Sequence, residues 1–157
     1  QMCIRDRPYY ASERLRLHRY SEPGRLYLLT CQTHARAPLF TDLHLARLVI
    51  QQFRQVEEEG LARSLAWVVM PDHLHWLIEL RQGSLSNLMQ RFKSRSARAL
   101  NQAQGHSGSL WQKGFHDRAL RREENVLSIA RYIVANPLRA GLVKSVRQYP
   151  HWDAVWL

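Results

Sequence analysis

Residues 65–70, an apolar, β-favouring run, and residues 73–80, which resume as a strand, are separated only by the turn pair Pro71-Asp72. Two strand-length runs joined this tightly form a hairpin, because parallel neighbours need a crossover of roughly a dozen residues or more. The chain is thereby committed to an antiparallel pair, and the remaining segments have to be packed around it. Residues 26–33 are a further apolar run, entered from the turn signal Pro23-Gly24, and read as a first strand. Between it and the hairpin, residues 43–59 carry Leu45, Leu48, Val49 and Phe53 at helical spacing, with Gly60 at the end. Residues 85–104 read as a second helix, with Leu85, Leu88, Met89, Phe92 and Ala99 as its apolar stripe and Arg91, Lys93, Arg95 and Arg98 on the other face. A loop at 105–109 leads to a short strand at 115–121. Residues 123–136 form a helix that must stop near Pro137. An aromatic tail, 142–157, holds Tyr149, Trp152 and Trp156 and is expected to pack back on the body.

The order is β-α-β-β-α-β followed by one more helix, which is the split βαβ, ferredoxin-like order and an α+β fold with an antiparallel sheet. Two helices on one face would leave the other face of the sheet free to carry a site. The 157 residues show no internal repeat and no low-complexity linker, so one domain spanning 1–157 is expected. Residues 2–7, Met2-Cys3-Ile4-Arg5-Asp6-Arg7, read as foreign. One possible coding sequence for them resembles the transposon end used in sequencing-library preparation, and they are set aside before fold reasoning. The alternative is a short basic arm that binds phosphate.

Charge narrows the partner. Lys and Arg number 23 against 13 Asp and Glu, for a net charge of +10. An excess of this size favours a polyanion, while leaving DNA, RNA and an anionic membrane open. No apolar run approaches the ~18 residues of a membrane-spanning helix. The two cysteines, Cys3 and Cys31, make neither a disulfide framework nor a Cys-rich zinc site, and point to a reducing, cytosolic setting.

The sharpest local feature is His73-Leu74-His75. Side chains alternate across a strand, so the two imidazoles share a face while Leu74 points into the core. Two imidazoles so placed can hold one divalent metal, although two incidental histidines beside a turn would look the same. Tyr132 and Asn136 lie four residues apart on the last helix, off its core stripe of Val126, Ile129, Ala130 and Ile133. Asn136 offers an amide oxygen as a third ligand, and two imidazoles with one amide leave metal positions open, as catalysis requires. Each residue also has an ordinary reading, Tyr132 as a packing residue and Asn136 as a helix terminator.

Together these segments resemble a known family. Val69-Met70-Pro71-Asp72-His73-Leu74-His75 looks like the HUH motif (His, hydrophobic, His) of single-tyrosine transposases. The segment Arg131-Tyr132-Ile133-Val134-Ala135-Asn136-Pro137-Leu138-Arg139-Ala140-Gly141-Leu142-Val143 looks like that superfamily's nucleophile segment. Trp111-Gln112-Lys113-Gly114-Phe115-His116-Asp117 resembles the stretch before it in the REP-associated tyrosine transposases, a bacterial branch. The resemblance implies a ferredoxin-like fold, Tyr132 as nucleophile, and His73, His75 and Asn136 as ligands of Mg2+ or Mn2+. It implies cleavage of single-stranded DNA at REP-type hairpins through a 5′-phosphotyrosine link that leaves a free 3′-OH. It implies a bacterial, cytoplasmic, nucleoid-associated protein that does not act on a membrane. The resemblance also favours a monomer over a homodimer, and the absence of a long linker before the last helix points to a site assembled in cis.

No residue stands out as general base for Tyr132; His116 and Asp117 are the candidates. Lys93, Arg95, Arg98, Lys113, Arg118, Arg121 and Arg122 are candidates for a phosphate track, and Trp111, Phe115 and His116 for stacking on unpaired bases. A solvated helix face would account for any single arginine, and a core position for Trp111. Two other functions stay open: a domesticated transposase that binds DNA hairpins with weak or no catalysis, and a metal-dependent hydrolase without a covalent step.

Overall fold

The structure, a computed structural model, describes residues 21–121 and 124–156. The segment 2–7 and Arg122 therefore lie outside the described residues. Five strands form one sheet: β1 (Leu26–Gln32), β2 (Ala62–Met70), β3 (His73–Leu80), β4 (His116–Ala119) and β5 (Trp152–Ala154), in the order β4-β1-β3-β2-β5. Every neighbouring pair is antiparallel. Helix α1 (Leu43–Glu58) connects β1 to β2 across the intervening β3, and α2 (Leu85–Gln104) connects β3 to β4 across β1. This is the expected split βαβ arrangement, with a fifth strand at one edge.

The helices start and stop where their end residues dictate. The Asp42 carboxylate accepts from the backbone N–H groups of His44 (2.8 Å) and Leu45 (3.2 Å) to open α1. The Ser84 hydroxyl accepts from Asn87 N–H to open α2, and Gly105, at φ 66°, closes it. Both helices cover one sheet face. There Phe53 stacks on Phe92 with ring centroids 5.3 Å apart and Trp76 packs against both. Trp111 joins this core and donates its indole N–H to Ser96 Oγ at 2.9 Å. Trp111 and Phe115 are thus core residues, buried to 6% and 4% exposure, rather than surfaces for base stacking.

Several expectations need correction. The second sheet face is not free. It is covered by α3 (Val126–Val134), whose Ile129, Ala130, Ile133 and Val134 pack on Leu28, Val68, Met70 and Leu77. The stripe of α2 closes through Ser96 and Leu100; Ala99 is only half-buried. Helix α3 begins at Val126, after Asn125 caps it by accepting from Ser128 N–H, and ends at Val134. Pro137 then falls in the first turn of a separate short helix, α4 (Asn136–Arg139), where its missing N–H costs nothing. Of the tail, Tyr149, Trp152 and Ala154 join the core under α3 and residues 152–154 form β5, whereas Trp156 is exposed. Among the described residues no helix is long and apolar enough to cross a membrane.

Candidate active site

The sheet face under α3 is apolar in its middle and polar at one end, and strand register decides which residues meet there. Thr30 lies opposite both His75 and His116, and Gln32 lies opposite His73. Directly opposed residues share a face, so Thr30, Gln32, His73, His75 and His116 form one polar patch on the side covered by α3. Asp117, one residue from His116, opposes Leu29 of the other core and so belongs to the opposite face. Of the two candidate bases, the sheet brings only His116 to the histidine side. It is buried there, 4% exposed.

Both site histidines have their Nδ1 engaged. His73 Nδ1–H donates to Asp72 Oδ1 at 2.7 Å, and His75 Nδ1 meets the Thr30 hydroxyl at 2.9 Å. Their rings stand edge to face, with centroids 5.0 Å apart. Engagement at Nδ1 leaves Nε2 as the nitrogen each ring can offer to a ligand. His75 Nε2 is fully buried and meets no hydrogen-bond partner among the described residues. An orphaned buried polar atom costs on the order of 1–3 kcal/mol unless something binds it. Burial, with the charges of His73 and Arg139 adding, pushes the His75 pKa down to about 3, so its imidazole is neutral at physiological pH, the form that ligates metal.

Asp72 is itself held. Arg36 Nε donates to Asp72 Oδ2 at 2.9 Å. The hydrogen bond from His73, opposed by burial and helped by that from Arg36, keeps the Asp72 carboxyl well below the usual carboxylate range. Arg36 and its neighbour Ala35 both adopt left-handed backbone, at φ 55° and 54°. Such positions are unfavourable for residues other than glycine.

Tyr132 lies on α3, half-buried and beside rather than within the apolar stripe, as its spacing predicts. Asn136 opens α4 and is 7% exposed. Arg139 closes it and folds back: its guanidinium carbon sits 3.5 Å from the centroid of the Tyr132 ring, and Nη2 donates to the Tyr132 carbonyl. Thr30, Asp72, Arg36 and Arg139 were not among the residues singled out from the sequence. Asp72 was legible only as a turn residue. Arg139 stood within the tyrosine segment, three residues past Asn136 and seven past Tyr132, a spacing that continues one helical face.

The donor set fits a divalent cation. Among the described residues no three His, Cys, Asp or Glu side chains are placed to hold one metal ion together, so a closed zinc site is not built from them. Two imidazoles presenting Nε2, one of them orphaned, match a cation that keeps open positions.

The basic candidates divide. Lys93 Nζ donates to the carbonyls of Gln112 (2.8 Å) and Gly114 (2.6 Å), pinning the loop before β4. Arg95 makes a two-point ion pair with Glu59, and Arg118 Nη1 donates to both carboxylate oxygens of Glu124. Arg98, Lys113 and Arg121 are exposed.

Comparisons with known proteins agree with this architecture. The family described as Transposase IS200 like matches residues 25–136. The REP-associated tyrosine transposase of Escherichia coli (strain K12) is 32% identical over 87 residues, which are 54% of this chain and 50% of that protein. The chain thus spans half the length of this relative. A solved structure of a REP-associated tyrosine transposase bound to a REP hairpin has the same fold, with a TM-score of 0.73 at 24% identity over 85% of this chain and 79% of that one. Since the family match runs from the first strand through both long helices and the histidine hairpin to Asn136, the chain belongs to the IS200-like transposase family.

Proposed function

We propose that the chain is a metal-dependent endonuclease and strand transferase for single-stranded DNA, acting at REP-type hairpins through a covalent 5′-phosphotyrosine on Tyr132. The observation that carries this reading is the buried, unpartnered Nε2 of His75 beside His73, on the sheet face covered by the helix that bears Tyr132. His73, His75 and the amide oxygen of Asn136 would hold Mg2+ or Mn2+. Such a cation, when bound, supplies positive charge to the scissile phosphate and its leaving oxygen.

The protein supplies position. Phenols are overwhelmingly protonated at neutral pH, so Tyr132 is a weak nucleophile unless it is held in line. Helix α3, anchored by four buried side chains, provides that rigidity. Tyr132 Oη forms a bond to phosphorus as the bond from phosphorus to the 3′ oxygen breaks. The phenol proton is released, the 3′ oxygen takes up a proton, and a free 3′-OH results. Attack by a 3′-OH on the phosphotyrosine reverses these steps, so rejoining needs no nucleotide hydrolysis. Thr30 and Asp72 fix the histidine rings through Nδ1.

End chemistry tests the reading. A REP-type hairpin with its flanks, labelled at either end, should give a 5′ fragment that polymerase extends, and a 3′ fragment that migrates as a DNA-only species only after proteolysis. Two protein-free fragments, the lower one bearing a 5′-phosphate, would instead indicate hydrolysis by water.

A further inference from the structure

We infer that Arg139 is a catalytic residue that grips a non-bridging oxygen of the scissile phosphate beside Tyr132; this rests on the phosphotyrosine reading above. Three observations converge on it. First, its guanidinium lies 3.5 Å from the centroid of the Tyr132 ring, so any phosphate attacked by the phenol oxygen comes within reach of the same fork. Second, the fork is pre-set. One N–H goes to the Tyr132 carbonyl, and the ring supports the cation's face. A guanidinium carries five N–H donors, and its geometry matches phosphate oxygens. Third, Arg139 is exposed, where a substrate phosphate can reach it.

Charge on the non-bridging oxygens is what an in-line displacement must stabilise. The bland alternative is that Arg139 only caps the end of α3 through the Tyr132 carbonyl. Both roles use the same geometry, so the test has to separate charge on the phosphate from support of the helix.

Adduct formation should be timed for the full chain and for Arg139→Gln and Arg139→Lys, with thermal melting as the folding control. Glutamine keeps an N–H donor for the Tyr132 carbonyl but removes the charge. The substrates are the hairpin with an ordinary scissile phosphate and with each methylphosphonate diastereomer there, which replaces one charged oxygen with a neutral methyl. Arg139→Gln should melt as the parent does, bind the hairpin within a few-fold, and form adduct on the order of 100-fold more slowly. Arg139→Lys should recover part of that rate. On one methylphosphonate diastereomer the Gln defect should shrink to near unity. A Gln variant as fast as the parent would overturn the role, and so would a defect of equal size on all three substrates. If the unchanged chain forms no adduct on ordinary phosphate, the phosphotyrosine reading itself fails, and the role of Arg139 fails with it.

Discussion

One hydroxyl and one carboxylate decide which nitrogen each site histidine presents. Thr30 and Asp72 occupy Nδ1 of His75 and His73, which leaves Nε2 as the nitrogen either ring can offer to a ligand. Thr30→Val keeps the shape and removes the hydroxyl. Mn2+ affinity, measured by calorimetry, should fall about 10- to 100-fold, as is typical when an outer-shell partner of a ligand is lost. Unchanged affinity would mean that His75 is not a ligand, or that its orientation is fixed by packing alone. The pairing of His73 with His75 was legible in the sequence because alternation along a strand needs no partner. The same holds for Tyr132 and Asn136, whose spacing needs only a helix. Thr30 was not legible, because its placement depends on the register between β1 and β3, which no local pattern specifies. Arg139 was missed for a similar reason: its role depends on folding back over a ring seven residues earlier.

At the scale of elements, legibility followed the end signals. The bounds of α2 and β3 match those read from the sequence, since Ser84, Gly105 and the Pro71-Asp72 turn mark them. Strand β5 has three residues, too few to show a period. The second layer was misjudged although its sign was present. Residues 65–70 are a continuous apolar run, the mark of a strand buried on both faces, whereas in 73–80 the polar His73, His75 and Glu79 alternate with apolar residues and carry no such sign. Two stability predictions belong here. Trp111→Ala should cost about 3–5 kcal/mol in denaturant unfolding, as core aromatic truncations do; a base-stacking surface residue would cost less than ~0.5 kcal/mol. Ala35→Gly should stabilise the fold by roughly 1 kcal/mol, because φ 54° penalises a Cβ. A loss of stability would show that the alanine methyl makes a contact worth more than the strain.

For the whole molecule, the net charge of +10 is only partly available to a polyanion. Lys93, Arg95 and Arg118 are engaged within the fold, the first by a loop and the others by carboxylates. Arg98 and Lys113 are exposed and remain the stronger candidates for phosphate contacts. Hairpin affinity should fall steeply with salt, and Arg98→Ala and Lys113→Ala should each reduce the log–log slope by about 1. A slope unchanged in both variants would place the phosphate track elsewhere. The polar patch is a property of the assembled sheet: β1, β3 and β4 each contribute to it, and α3 covers that face.

The central claim is that Tyr132 becomes covalently joined to DNA. It is tested most directly by mixing the chain with a labelled, single-stranded REP-type hairpin and its flanks in Mg2+ or Mn2+, then resolving the mixture in SDS. An SDS-resistant adduct should form, and should vanish with EDTA and in Tyr132→Phe while hairpin binding persists. An adduct that survives in Tyr132→Phe would contradict the assignment of the nucleophile. No adduct from the unchanged chain, despite tight and salt-sensitive hairpin binding, would make it a DNA-hairpin-binding protein rather than an enzyme.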